Sequence, residues 1–266
     1  VKDGLVLNLL SVVPKSAVSR AMGLFGRTRF PGLLLRPMLA IYCRIYGVDR
    51  SESIRALPEF DSFVDFFTRE LKPGLRPLAD APLISPADGA VASFGRIVDG
   101  GFGDADGLDA RVGDLLGGEG EGNSFIVIYL SPKDYHRVHS PVAGELGRWR
   151  YLPGRFWPVF PASTRKFRDL FASNERLAVE IGTEGGPLWL VFVAAFGVGR
   201  IATTFCEPIS NTGLPRSEGV ADGAIAAGDE LGRFELGSTV VLVVPGEVDW
   251  CVTPGQTIRL GEALCR

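Results

Sequence analysis

Residues 232–244, GRFELGSTVVLVV, pass from a glycine-broken approach into an apolar, β-branched run. Valine and threonine have stiff χ1 torsions that suit a pleated strand better than a helix. Thr239 to Val244 is therefore expected to be a buried strand, because no charge interrupts it. The same texture recurs outward at Ala90 to Phe94, Phe125 to Leu130, Leu188 to Phe196, Arg200 to Phe205 and Thr257 to Leu260, with glycines between. The longest apolar run, Pro187 to Gly199, is broken by glycine and closed by Arg200, so it reads as one long strand or two buried ones rather than a membrane span. Residues 99–122, DGGFGDADGLDARVGDLLGGEGEG, read as a solvated loop or hairpin insertion.

Before residue 80 the texture is different, and residues 1–70 read as helical. Phe60, Phe63, Phe66 and Phe67 recur at helical spacing behind a cap at Asp61 or Ser62, and Lys72-Pro73-Gly74 with Arg76-Pro77 ends the pattern. The expected fold is α+β: a β-rich catalytic core of short antiparallel strands over 71–266, carrying an N-terminal amphipathic helical extension over 1–70.

Charge separates the same two regions. The net charge is −3, which argues against a nucleic-acid partner. Yet residues 1–50 hold Lys2, Lys15, Arg20, Arg27, Arg29, Arg36, Arg44 and Arg50 against only Asp3 and Asp49. A basic, apolar head on an acidic body suits an anionic surface such as a membrane. Gly4 to Val13 is too short to span one, and Leu33 to Tyr46 contains Arg36, Pro37 and Arg44. No small-residue cleavage site follows a secretory-type apolar segment. Short helices punctuated by Pro14 and Pro31 can lie in a membrane interface or pack on the protein's own core; the charge asymmetry favours the interface. The first residue is valine, which leaves open a fragment or an unusual start codon.

The four cysteines, Cys43, Cys206, Cys251 and Cys265, form no CxxC pair and fit a reducing compartment. The chain's 2 histidines, His136 and His139, have no cysteine near them in sequence, so no metal is expected. Both fall in DYHRVHSP (134–141), where histidine can serve as acid or base, although two ordinary histidines would look the same. Asp88 in SPADGA (85–90) reads as a turn cap or as an orienter for a histidine. In LGST (236–239), Gly237 opens its carbonyl to approach, and the Ser238 hydroxyl beside a strained Gly–Ser peptide could attack it; a plain strand start has the same letters.

Taken in order, SPADG, DYHRVHSPV and LGST resemble the phosphatidylserine decarboxylase family. The likeness extends to Val13-Pro14-Lys15, Tyr46-Gly47-Val48-Asp49, FVDFFTRE (63–70), LKPGLRP (71–77), YLPG (151–154), LFASNER (170–176) and GRFELGSTV (232–240). The resemblance implies a proenzyme that cuts itself between Gly237 and Ser238 into a large chain, 1–237, and a small one, 238–266. Asp88 would orient His139, His139 would activate Ser238, and Ser238 would become a covalent pyruvoyl cofactor. That group would take up the electrons released as CO2 leaves phosphatidylserine, giving phosphatidylethanolamine, with His136 assisting the decarboxylation. The implied partners are phosphatidylserine in an anionic membrane and the chain's own two pieces, with a homodimer of these left open. The implied place is the cytoplasmic face of the cell membrane, peripherally bound. The stretch WPVFPAST (157–164) departs from the family's Asn-containing segment, which bears on lipid detail rather than reaction class.

Three other readings stay open on sequence alone. A lasting serine hydrolase could use Ser238, His139 and Asp88, though no GxSxG elbow surrounds Ser238. Turns at Ser140 to Gly144, Thr253 to Gln256 and Leu260 to Glu262 are similar to those of biotinyl- and lipoyl-type carriers, but the last lysine is Lys166. A homologue acting on a related amino-acid phospholipid is the third.

Overall fold

The computed structural model describes residues 15–103, 105–197, 200–207, 210–211 and 213–266. Gly4 to Val13, Pro14, Lys2 and Asp3 lie outside the described residues. The helices are α1 (Lys15–Arg27), α2 (Gly32–Tyr46), α3 (Phe63–Phe67), α4 (Val112–Leu116), α5 (Pro161–Lys166) and α6 (Leu170–Ser173). The strands are β1 (Gly89–Arg96), β2 (Ser124–Leu130), β3 (Arg137–His139), β4 (Gly144–Leu152), β5 (Arg176–Thr183), β6 (Gly186–Ala194), β7 (Ile201–Thr203), β8 (Ser217–Val220), β9 (Ala224–Ile225), β10 (Glu230–Phe234), β11 (Ser238–Val244) and β12 (Thr257–Ile258). The fold is thus α+β, with antiparallel strands throughout the core and helices at the N-terminal side.

The large sheet runs β12-β1-β2-β11-β6-β5-β4-β8, with β9 also on β4, and the small one runs β3-β10-β7. β11 lies at the middle, paired with β2 on one side and β6 on the other, and all its residues are buried. Antiparallel sheets usually leave one face to water and alternate polar with apolar residues. Here both faces are covered, so the alternation is lost. Phe125 pairs with Val243 and packs edge-on against Phe102, whereas Phe192 pairs with Val240 and packs on Phe234. Directly paired residues share a face and neighbours along a strand alternate, so these two contacts lie on opposite faces.

That geometry corrects the solvated-loop expectation for residues 99–122. Phe102, Leu108, Val112, Leu115 and Leu116 are buried there, and α4 forms within it. The glycines provide tight turns around an apolar plug rather than a solvated tip. Within the 187–199 run one strand forms among the described residues, β6, which ends at Ala194, and the expected strand over 200–205 shortens to β7.

The head is helical in pieces. Pro31 separates α1 from α2, and Gly47 ends α2 in the left-handed region at φ 71°, donating its N–H to the Cys43 carbonyl. Leu35, Leu39 and Cys43 form a buried stripe at i, i+4, i+8 against Val48, Phe60 and Phe66. Ser62, rather than Asp61, caps α3 by accepting the Asp65 N–H. The helix is shorter than the phenylalanine spacing suggests, because Phe60 closes a separate 3-10 turn at Leu57–Glu59. α1 inverts the usual pattern. Its buried positions are Ser19, Gly23 and Gly26, while Met22, Leu24 and Phe25 are exposed. Small residues let the helix lie close to the core, where a Cβ on Gly26 would meet Val64 at 2.9 Å.

Candidate active site

Ser238 is the first residue of β11, opposite Leu130 on β2 and Ala194 on β6. It therefore shares the face of Val240 and Phe192, the one that Phe234 of the small sheet covers. Its side chain points towards the layer that carries β3, where His139 pairs with Glu230 of β10. Ser238 is 1% exposed and its Oγ has no hydrogen-bond partner. A buried hydroxyl in that condition forgoes the hydrogen bonding that such groups normally secure, which marks it for attention.

Beside it, Gly237 is outside the left-handed region, so the Gly–Ser peptide carries no strain from a positive φ. Its glycine character has a different use: a Cβ there would meet nothing within 4 Å. The space belongs to an apolar cavity of about 650 Å³ bounded by α1, α2 and α3, by Pro132, and by Phe196, Gly197, Leu236 and Gly237. The helical head thus forms a wall of the cavity at the Gly237–Ser238 bond. Contacts that fasten it there include the Tyr42 hydroxyl, which donates to the Pro132 carbonyl at 2.5 Å. Arg27 pairs with Glu235, and the Gly197 N–H donates to Ser19 Oγ at 3.1 Å.

Both histidines are held in the same tautomer. The Nδ1–H of His139 donates to the Gly228 carbonyl at 2.7 Å, leaving Nε2 to accept from the Tyr135 hydroxyl at 3.2 Å. Burial pulls His139 below the ordinary histidine value, against the Gly228 hydrogen bond and the Glu230 and Asp88 charges. The His136 Nδ1–H donates to the Asp134 carbonyl at 2.9 Å, and its Nε2 has no partner. His136 is wholly buried, its ring 4.0 Å from that of Phe67, which lines the cavity. Burial, with the Arg69 charge in the same direction, lowers its pKa to about 3, so it is neutral at physiological pH.

Asp88 is not hydrogen-bonded to His139. Its carboxylate is taken by the Arg76 guanidinium, at 2.9 and 2.6 Å, and by the Leu260 N–H at 2.9 Å. The His139 N–H bonds the Pro86 carbonyl, so the two segments are adjacent, but Asp88 reaches the ring only through its field. Fixing the tautomer, expected of Asp88, falls to Gly228. The structure thus gathers Gly237, Ser238 and the cavity on one side and Asp88, His136 and His139 on adjoining segments, without hydrogen bonds joining Asp88, His139 and Ser238.

Several contributors escaped the sequence. Tyr135 stood inside the quoted DYH run, and Arg76 had been read as part of a helix stop and of the LKPGLRP likeness, with no role of its own. Asn174, Glu175 and Arg176 of LFASNER are all buried. Asn174 accepts the Trp157 N–H and donates to the Trp157 and Ala194 carbonyls, pinning the departing 157–164 stretch to the core. Arg176 donates to the Leu115, Asp114 and Asn174 carbonyls, and Glu175 accepts from Tyr151 and the Asn211 N–H. Burial lifts Glu175 to about 7 against those hydrogen bonds.

Comparison with known proteins points to one family. A family profile described as phosphatidylserine decarboxylase matches residues 63–266. The chain is 40% identical to the phosphatidylserine decarboxylase proenzyme of Anaeromyxobacter sp. (strain K), over 98% of each chain. It is 36% identical to that of Myxococcus xanthus, also over 98% of each. With the Bordetella pertussis proenzyme it shares 41% identity over 99% of this chain and 94% of the relative.

Proposed function

This chain belongs to the phosphatidylserine decarboxylase family, and from that premise we propose that it cuts itself between Gly237 and Ser238 and then converts phosphatidylserine to phosphatidylethanolamine. It is a decarboxylase, and its relatives are named proenzymes. The observation that carries the cleavage reading is the buried, unpartnered Ser238 Oγ beside a glycine that opens onto an apolar cavity.

In this reading Ser238 Oγ attacks the Gly237 carbonyl, and His139 Nε2 takes the hydroxyl proton as Tyr135 yields its place. The Gly237–Ser238 C–N bond breaks, the new amine takes the proton back, and an ester joins the two pieces. Loss of the Ser238 Cα proton and departure of Gly237 as a carboxylate leave dehydroalanine. Water then enters and ammonia leaves. The Gly228 carbonyl keeps Nε2 as the basic nitrogen throughout, and Asp88 favours the imidazolium through its charge.

The surroundings of residue 238 suit a pyruvoyl group: the site is buried, its Oγ has no competing partner, and the cavity admits an apolar substrate. Such a group would supply an electron sink for the pair left when CO2 departs. His136 Nε2, neutral and unpartnered beside the cavity-lining Phe67, would assist the decarboxylation as a hydrogen-bond acceptor rather than as a charged acid. The cavity's apolar lining suits acyl chains.

We further propose that the head docks peripherally on an anionic membrane at the cytoplasmic face. Leu24, Phe25, Leu33, Leu34, Ile41 and Ile45 are exposed among the head's arginines, and no described helix is long and apolar enough to cross a membrane. Each cation near an anionic surface adds about 1 kcal/mol.

Intact mass under denaturing conditions tests the cleavage. Two pieces are expected, the smaller starting at residue 238 and lighter by one ammonia than a serine-started peptide. A single 28.6 kDa chain that a phosphonate probe labels at Ser238 would overturn the proposal in favour of a lasting hydrolase. Release of CO2 from phosphatidylserine vesicles tests the second step.

A further inference from the structure

The Arg69 guanidinium is a buried cation that no anion answers. The residue is 3% exposed. Its Nη2 donates to the Lys133 carbonyl at 3.2 Å, it lies over the Phe66 ring, and its Nε is sealed from solvent without a partner. Among the described residues no carboxylate pairs with it, whereas Arg27, Arg76 and Arg137 are committed to Glu235, to Asp88 and Glu52, and to Glu70 and Glu230. Burial pulls Arg69 below the ordinary arginine value, yet a guanidinium stays charged at physiological pH. Buried charges are normally paired, and an unpaired one is costly. A cost of that kind persists where function needs the group.

Its place in the fold says which function. Tyr42 donates to the Pro132 carbonyl, and Arg69 donates to the next carbonyl along, that of Lys133. The two side chains therefore end side by side, and Tyr42 and Pro132 both line the apolar cavity. Two residues before Arg69, Phe67 lines the same cavity and lies on the His136 ring. None of the described residues lining that cavity is charged. An anion carried in on an apolar molecule finds no partner on the wall itself, and the cation stands just behind it, at the His136 end.

We propose that Arg69 is a substrate-binding residue that pairs with the phosphodiester of the phospholipid headgroup. The inference rests on the decarboxylation reading above. The headgroup of phosphatidylserine carries two anions, a carboxylate and a phosphodiester. A guanidinium on the carboxylate would stabilise the charge that the reaction must discharge, and so would oppose loss of CO2. The phosphodiester keeps its charge from substrate to product, so an ion pair there anchors the headgroup without resisting the chemistry. The forked guanidinium matches its two free oxygens. Access requires the Tyr42 ring to swing off Pro132, one neutral hydrogen bond exchanged for a charge-assisted pair.

An interaction held equally in ground and transition states moves KM alone. On phosphatidylserine vesicles, Arg69→Met is expected to raise KM about tenfold or more with kcat within about threefold of wild type. Arg69→Lys keeps the charge without the fork and lies between. A fall in kcat with KM unchanged overturns the proposal. Thermal melts of the full-length Ser238→Ala chain, at ionic strength fixed with sodium chloride, identify the anion without depending on cleavage. Glycerophosphoglycerol, a phosphodiester with no carboxylate, should raise Tm, and N-acetylserine, a carboxylate with no phosphate, should not. Adding Arg69→Met should abolish the rise while leaving the ligand-free Tm unchanged or higher, since it removes an unpaired buried charge. A rise with N-acetylserine alone, with neither compound, or undiminished by Arg69→Met overturns the proposal, as does a ligand-free Tm that falls steeply, the mark of a purely structural arginine. If Arg69→Met does not fold, Arg69→Lys decides: a raised KM at unchanged kcat supports the proposal, and an unchanged KM overturns it. Wild-type protein that releases no CO2 from phosphatidylserine would remove the underlying decarboxylation reading, an outcome separate from the melts.

Discussion

The sheet centre and the helical head are both rich in large apolar residues, and they use them in opposite ways. β11 buries every residue between two neighbours, whereas α1 turns Ser19, Gly23 and Gly26 inward and leaves Leu24 and Phe25 at 68% and 55% exposure. Leu33 on α2 reaches 86%. Apolar composition therefore does not by itself specify burial; the company of charges does. β11 contains no cation, while the head's apolar residues are interspersed with arginine. A large exposed apolar surface is rarely left unused, which is why the proposal above gives the head's outer face to a membrane, whereas the sheet's apolar faces are packing.

The contrast can be broken at the junction first. Ser238→Ala is expected to abolish both cleavage and decarboxylation, read by denaturing mass and CO2 release; any decarboxylation by the uncut variant removes the pyruvoyl mechanism. Within the sheet, Leu242→Ala should cost about 2–5 kcal/mol in denaturant unfolding of the Ser238→Ala proenzyme. A loss under 1 kcal/mol would mean the centre is less tightly packed than it looks. Glu175 should print itself on the pH dependence. Its folded value of about 7 lies above the ordinary 4.5, so its penalty is absent below 4.5 and grows as pH rises towards 7. Glu175→Gln should remove that decline, on the order of 3 kcal/mol, in thermal melts from pH 5 to 8. His136 works in the other direction, its depressed value withdrawing stability as pH falls below 6.5. The smallest stability change belongs to the head. Ile41→Ser with Ile45→Ser should shift unfolding by no more than about 0.5 kcal/mol per site. The same pair should weaken binding to phosphatidylserine-containing vesicles several-fold, and unchanged vesicle binding would make that face a bystander.

Much of this was legible in the sequence because it is local. Uninterrupted β-branched runs gave away β1, β2, β6 and β11, and prolines and glycines marked the head's breaks. β4, GELGRWRYL, escaped because Arg148 and Arg150 disguise it. Only the fold reveals that Arg150 is satisfied by the Glu119 carbonyl and lies against the Trp189 ring. The 99–122 segment escaped for the converse reason, since its glycines outnumber the apolar residues they deliver to the core. At the site, the residue types and order were visible, but their partners were not. Nothing in the spacing of Asp88, Arg76 and Leu260 announces that they meet, because charge pairing across such separations is set by sheet order alone.

The placement of Ser238 at the head of the central strand has a consequence for the matured protein's thermodynamics. A cut at that point would leave the small piece threaded through a sheet otherwise made by the large one, as its middle strand β11 and its edge strand β12. Unfolding would then be a dissociation, and refolding a bimolecular encounter whose yield depends on concentration. Before the cut, folding is a property of one chain. After the proposed cut, the enzyme's persistence would be a matter of how slowly a strand can leave the middle of a sheet, a lifetime rather than an equilibrium.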